Sequence, residues 1–395
     1  MAARQLVVDV HTHLYLPRYA SILRQRNTVP KIVTRVRDDG CKEERLVILK
    51  DEPSGGRPIG ASYTERNEKL KFMKKHGIDI SIVSTANPWL DFLQPKEAHD
   101  LAVKLNDDLE EYCSTSPTVR GTSMKQLYGF GLLPIVPHVG IDSLLETVKQ
   151  ISASSHLKGL IMGTRGIGKG LDDEELDPLW AAISEAGLTV FLHPHYGIPQ
   201  EAWGEKDNGH VLPLALGFPM ETTIYNANSC IFLITFSWAT TRLILSGVFD
   251  RFPSLRLLLA HSGGALPQLS SRLASCIVHD PIVASRLKHD ARFYLGKLYL
   301  DAVSYGSEEL GFVSDVLARS NRYETGSNNV DQASRSIGSG RMLFGTDHPF
   351  FPPLASSEKW KSVVENLDAI ENVQGWSEVD KIGVKGGNAI SLFNL

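Results

Sequence analysis

The sequence predicts an α/β protein, a closed (β/α)8 TIM barrel with a lid segment inserted near its N-terminus. Two observations predict it. Short β-branched apolar runs recur eight times with helical periodicity between them. Four of those runs end in histidine or aspartate, at the end of the strand where barrel enzymes place their active sites. A chain of 395 residues accommodates two average domains or one barrel with elaborated loops. No compositional break separates the eight runs, which favours a single domain over residues 1–395.

The expected strands are Leu6 to Val10, Ile78 to Thr85, Leu127 to Leu133, Leu157 to Met162, Leu188 to Leu192, Leu255 to Ala260, Leu298 to Ala302 and Arg341 to Phe344. Residues 15–63 are too many for a simple βα connection and carry charge runs such as Arg35 to Arg45. This segment reads either as a lid over the barrel mouth or as a solvated excursion.

With 42% apolar and 22% charged residues, the composition is that of a chain that buries a large core. Forty-one basic against 45 acidic residues give a net charge of -4, too balanced for a nucleic-acid or polybasic membrane surface. Cys41, Cys113, Cys230 and Cys276 are scattered without a CxxC pair, as expected of reduced thiols. The N-terminus lacks the apolar core of a signal peptide, and the run Cys230 to Trp238 falls short of the roughly 20 residues of a membrane span. A cytoplasmic protein without nucleic-acid or membrane partners is the expectation.

Strand one ends in Val10-His11-Thr12-His13. Residues two apart on a strand share a face, so His11 and His13 both point to the barrel axis, where a metal ion would give two neighbouring imidazoles a common role. His193 follows strand five, with His195 two residues on. His261 follows strand six, and Asp347 follows strand eight. Each signal alone is weak; their shared placement is not. Imidazole nitrogen and carboxylate oxygen suit one divalent metal, Zn2+ first and Mn2+ second.

This pattern, HTH after strand one, His after strands five and six and Asp after strand eight, resembles the amidohydrolase superfamily over nearly the whole chain. Binuclear members carry a bridging lysine after strand four. Here that strand ends in Leu160-Ile161-Met162-Gly163 and Lys158 lies near its start, so a mononuclear site is expected. The strings Ala86-Asn87-Pro88-Trp89-Leu90-Asp91-Phe92, Gly217-Phe218-Pro219-Met220-Glu221-Thr222-Thr223 and Gly345-Thr346-Asp347-His348-Pro349-Phe350-Phe351 look most like the fungal isoorotate (uracil-5-carboxylate) decarboxylases. These belong to a branch that also acts on 2-amino-3-carboxymuconate semialdehyde and γ-resorcylate.

The resemblance implies that His11, His13, His193 and Asp347 bind the metal, with His261 beside it. It also implies Arg272 reaching into a neighbouring subunit's site, hence a homodimer or higher oligomer. The substrate would be a small aromatic or pyrimidine carboxylate, and its loss of CO2 would serve pyrimidine salvage. Losing CO2 directly from a planar ring leaves an sp2 carbanion, so protonation of the ring carbon comes first. Asp347 is the expected acid, and His261 the alternative donor or the group that orients it. Trp89, Phe218 and Phe350 are expected to wall a flat slot, with Asn87 reading a ring amide. For each aromatic, ordinary core packing competes.

The string Gly163 to Gly170 nearly fits a phosphate loop, but Gly170 stands where a Ser or Thr would bind Mg2+. A glycine-rich connection is the better reading. Residues 224–245 and 322–339 depart from the family, either as genuine elaborations or as translated intron sequence. Two rival functions remain, a hydrolase of the same fold using activated water and a non-catalytic metal or ligand binder.

Overall fold

The structure is a computed structural model. It describes residues 5–395 apart from 51, 53–54, 165–166, 168–169, 197–211, 224, 227–235, 238, 326–333, 354 and 356–357. The core of the atypical stretch near 224–245, much of 322–339 and half of the Gly163–Gly170 connection therefore lie outside the described residues.

Eight strands form one parallel sheet. Its first member is β1 (Val8–Leu14), and a three-stranded antiparallel sheet follows in the chain: β2 (Lys31–Val36), β3 (Lys42–Val47) and β4 (Arg57–Ile59). The parallel sheet continues through β5 (Ile80–Thr85), β6 (Leu127–Leu132), β7 (Leu157–Gly163) and β8 (Thr189–His193). After the short pair β9 (Tyr225–Asn226) and β10 (Phe236–Ser237), it ends with β11 (Arg256–Leu259), β12 (Tyr299–Asp301) and β13 (Met342–Leu343). The strand order β1-β5-β6-β7-β8-β11-β12-β13 is that of a sequentially wound barrel. The last strand returns to the first where Val10 N donates to Phe344 O at 3.0 Å and His13 N donates to His348 O at 2.7 Å.

All eight expected runs are barrel strands, and the first extends four residues further than expected, to Leu14. Its two histidines therefore sit within β1 rather than on a loop beyond it: Thr12 and His13 lie opposite Val83 and Ser84 of β5, and His11 falls at the register shift between Asp9 and Thr12. The barrel interior is filled as parallel sheets require, by apolar chains buried from both faces. Val10, Phe130, Leu160, Phe191, Leu258 and Phe344 are all fully buried.

The connecting helices follow from sequence pattern and capping. Pro95–Ser114 opens on a Gln94–Glu97 capping box with proline in its first turn, and buries Ala98, Leu101, Ala102, Leu105 and Leu109 along one stripe. Arg66–His76 stops at Gly77, whose left-handed φ of 71° lets its N–H cap the last turn.

Residues 15–63 hold the helix Pro17–Gln25 and the antiparallel sheet, which buries Ile32, Leu46 and Ile59. Arg24 grips Glu44 in a bidentate pair at 2.6 and 2.7 Å, binding helix to sheet. The phenols of Tyr15 and Tyr19 donate to the carbonyls of Asn87 and Pro88, which fastens this segment to the loop after β5.

Gly345 marks a close approach on which the site depends. A methyl group there would lie 2.7 Å from His11 Cβ and 2.9 Å from Val303 Cγ2. Gly345→Ala is expected to destabilise the metal-free protein by about 1–3 kcal/mol through overpacking. In urea unfolding this appears as a lower midpoint at unchanged slope; an unchanged midpoint would show that β1 and β13 have room to separate.

Candidate metal centre

His11, His13, His193 and Asp347 converge at the C-terminal end of the barrel. One ligand atom from each lies within 4.8 Å of every other, and all four side chains are buried. His11 Nε2 stands 3.1 Å from His13 Nε2 and 3.2 Å from His193 Nε2. Asp347 Oδ1 lies 3.2 Å from the first and 3.4 Å from the second of these imidazoles.

The partners on the far side of each ring decide what those nitrogens present. His11 Nδ1 faces Asp301 Oδ2 at 2.5 Å, and His193 Nδ1 faces the carbonyl of Pro194 at 2.6 Å. A carboxylate and a carbonyl only accept, so both Nδ1 atoms donate. His13 Nδ1 meets Ser84 Oγ at 2.9 Å, and that hydroxyl itself donates to Thr12 O at 3.3 Å, leaving its lone pair for His13. All three Nε2 lone pairs are thereby aimed at one point beside a carboxylate. Ligands about 2.0–2.2 Å from a tetrahedral cation lie about 3.3–3.5 Å apart; the His11–His13, His11–His193, His11–Asp347 and His13–Asp347 pairs, at 3.1–3.4 Å, come close to that, and the remaining pairs lie within 4.8 Å. The donor set fits a metal site.

The electrostatics agree. Burial against Phe191, whose ring stands edge-on to His11 at 5.0 Å, desolvates the cluster. It takes His13 down to about 4 against the pull of Asp347. It drives His193 well below the imidazole range, helped by the neighbouring His13, His11 and His261. Both rings are neutral and ready to ligate at neutral pH. Burial would also raise Asp347, but the His11 imidazolium beside it holds its carboxyl well below the usual range. Burial lowers His11 as well, yet Asp347 and Asp301 outweigh it and raise the group to about 10. In the metal-free protein, a proton on His11 therefore supplies the positive charge the cluster calls for.

His261 follows β11 with its Nε2 3.7 Å from Asp347 Oδ2. His261, Ser262 and Asp347 all have positive φ, as do Tyr305 and Phe351 nearby. Such conformations are uncommon for residues with side chains and gather at functional sites.

Two cavities of about 810 and 610 Å3 share Phe218, Phe350 and Phe351 as a wall. The smaller one holds His193, His261 and Asp347, and the larger reaches outward past Asn87 to β3 and β4. Phe218 and Phe350 thus lie where ring walls were expected. Trp89 lines neither cavity: its indole N–H donates to Thr85 O at 2.9 Å, and its ring packs on His195 at 4.5 Å. His195 also meets Asp91 at 3.5 Å. Arg272 is exposed on the helix Leu266–Val278 and lines neither cavity. Lys158 reaches toward Asn394 at the chain terminus, and Gly163 closes β7 against the Trp89 ring, so among the described residues no lysine of this strand bridges the ligands.

Three residues escaped sequence reasoning. Asp301 sat unremarked inside an apolar run. Arg57, on β4, donates from Nη2 to Tyr15 Oη and Asn87 O, each at 2.7 Å, and to Asn87 Oδ1 at 3.1 Å. Its guanidinium lies 4.7 Å from the Phe350 ring centre, while its buried Nε has no partner among the described residues. The Gly55-Gly56-Arg57-Pro58 string was the available signal. Lys69, fully buried, ties Thr12 Oγ1 and His348 Nδ1 together at 2.5 Å each, behind the ligand strand; its place in a charged amphipathic helix gave no signal.

Comparison with known proteins adds four findings. A family profile described as amidohydrolase matches residues 141–395. A 2-amino-3-carboxymuconate-6-semialdehyde decarboxylase of Dictyostelium discoideum is 25% identical over 99% of this chain and 92% of its own. Among solved structures, the apo IDCase of Metarhizium anisopliae superposes with a TM-score of 0.82 at 38% identity, covering 100% of this chain and 98% of its own. A dihydroxybenzoic acid decarboxylase from Polaromonas, solved with bound manganese and an inhibitor, has a TM-score of 0.66 at 19% identity, covering 99% and 98%, and shares the fold.

The protonation pattern leads to a test in solution. Between pH 7 and 8, His13 and His193 are already neutral and Asp347 ionised, whereas His11 carries a proton up to about 10. Loading one divalent cation per chain should therefore release about one proton, and the release should fade as the pH passes 10. Calorimetric titration in buffers of different ionisation enthalpy measures it. Proton-neutral binding at pH 7 would mean that the cation enters without displacing the His11 proton.

Proposed function

Because the chain belongs to the amidohydrolase family, we propose that it converts isoorotate to uracil and CO2, with Zn2+ held by His11, His13, His193 and Asp347. At the coarser level it is a metal-dependent decarboxylase of aromatic acids, as its relatives by sequence and structure are named. The finer reading is carried by one observation, the 38% identity to IDCase, read as isoorotate decarboxylase, over the entire chain. The manganese of the Polaromonas structure keeps Mn2+ as the second choice of metal.

The geometry gives this reading a mechanism. A planar ring between Phe218 and Phe350 places its polar edge toward Asn87 and Arg57, which line the outer cavity. A cation held by His11, His13, His193 and Asp347 would supply Lewis acidity that stabilises negative charge developing on the substrate. A proton then adds to the ring carbon that bears the carboxylate. The carbon–carboxylate bond breaks, its electron pair returns to the ring, and CO2 leaves. One proton is consumed per turnover.

Asp347 Oδ2 faces His261 at 3.7 Å, and the two form the proton-delivering pair. Within this pair Asp347 delivers the proton to the ring carbon, with His261 as the alternative donor or the group that orients it. Arg272, exposed on its helix, serves the neighbouring subunit's site in a homodimer. No described helix is long and apolar enough to cross a membrane; cytoplasmic residence and a role in pyrimidine salvage belong to the same proposal.

The Zn2+-loaded protein should show a kcat/KM for isoorotate at least about a hundredfold above that for γ-resorcylate, a discrimination expected when a site's buried polar groups are left unpaired by the wrong ring. Ultraviolet absorbance follows uracil formation. Asp347→Asn should lower turnover by a factor of about 10^2–10^4. Equal efficiency on the two acids would refute the substrate, and hydrolysis of an amide or lactone without CO2 release would move the protein to the hydrolase class.

A further inference from the structure

Asp301, the last residue of β12, has a fully buried carboxylate saturated with donors from three parts of the barrel mouth. Oδ2 takes His11 Nδ1 at 2.5 Å and the backbone N–H of His261 at 3.0 Å. Oδ1 takes the N–H groups of Ser262 at 2.9 Å and Val303 at 3.1 Å. Its own carbonyl accepts from Ser262 Oγ at 2.9 Å. Proximity to His11 holds this carboxyl below its ordinary range in spite of burial.

We propose that Asp301 is a positioning residue that sets two parts of the site at once. As an acceptor it commits His11 to the Nδ1–H form, so that the Nε2 lone pair points at the cation. Through the adjacent N–H groups it holds the left-handed His261–Ser262 turn, φ 53° at both residues, which sets where the His261 imidazole stands relative to Asp347. A residue that touches neither substrate nor cation thus couples ligand orientation to proton delivery. The proposal rests on the four-ligand metal reading.

The discriminating substitution is Asp301→Asn. An amide keeps size and shape, but its NH2 group would face either the His11 and His261 donors or the Ser262 and Val303 donors. Facing His11, it favours the opposite tautomer and places a proton on Nε2. The experiment measures Co2+ affinity by competition with a chromophoric chelator for the wild type, Asp301→Asn, His11→Gln and the double variant, independently of turnover. Asp301→Asn is expected to weaken Co2+ binding by about 10- to 100-fold. In the His11→Gln background the same change should have little further effect, because Asp301 acts through His11.

Wild-type affinity in Asp301→Asn would overturn the proposal, as would losses that multiply in the double variant, the mark of a general structural role. Failure of the wild type itself to bind Co2+ would refute the metal reading instead. A second measurement does not depend on the variant folding. The Zn2+-loaded wild type should show a solvent-protected, downfield imidazole N–H proton resonance that is absent from His11→Gln, and its absence from the wild type would also overturn the proposal.

Discussion

Three imidazole lone pairs and a carboxylate oxygen, buried and aimed at one another across little more than 3 Å, cannot coexist without a positive charge between them. Unpaired acceptors facing each other in a low-dielectric interior repel and have lost their water. Either a proton or a cation must sit at the centre. The Nδ1 partners of the three rings, a carboxylate, a hydroxyl and a backbone carbonyl, turn a crowded cluster into a directed one.

The barrel supplies what this constraint demands. β1 brings two of the rings, and a close glycine contact at position 345 lets β13 lie against it, so that Asp347 arrives beside them. Behind this seam, Lys69 clasps Thr12 and His348, residues adjacent to the ligands but facing away from them. Phe191 and Phe130 form an apolar floor beneath the cluster, whose burial keeps His13 and His193 neutral. On the open side, the antiparallel sheet of residues 31–59 delivers Arg57 to the cavity wall. The guanidinium thus comes from the segment most remote from the barrel pattern, while the imidazoles and carboxylates come from its strand ends.

That division explains what could be read from the sequence. Strand ends were legible because apolar runs of period two stop abruptly at chemistry-bearing residues, and His11, His13, His193 and Asp347 each stand at such a stop. Phe218 and Phe350 were expected from motif strings to wall a slot, and both line the two cavities. Trp89, drawn from the same kind of string, turns inward to pack on His195: whether an aromatic on a loop faces ligand or core depends on a rotamer that no local pattern encodes. Arg57 was hidden in a segment whose charges looked uniformly solvated. Asp301 was hidden because one acidic residue at the end of an apolar run is the same signal whether it binds a metal, caps a turn or orients a histidine, and only its partners separate these.

The central claim is that the buried cluster is a cation site built from three imidazoles and one carboxylate. X-ray absorption spectroscopy at the edge of the loaded metal tests it most directly. The account predicts a first shell of nitrogen and oxygen neighbours at about 2.0–2.2 Å, with the multiple-scattering signature of three imidazoles that falls to two in His193→Ala. A shell of oxygens without imidazole scattering, unchanged in that variant, would place the metal elsewhere and contradict the account.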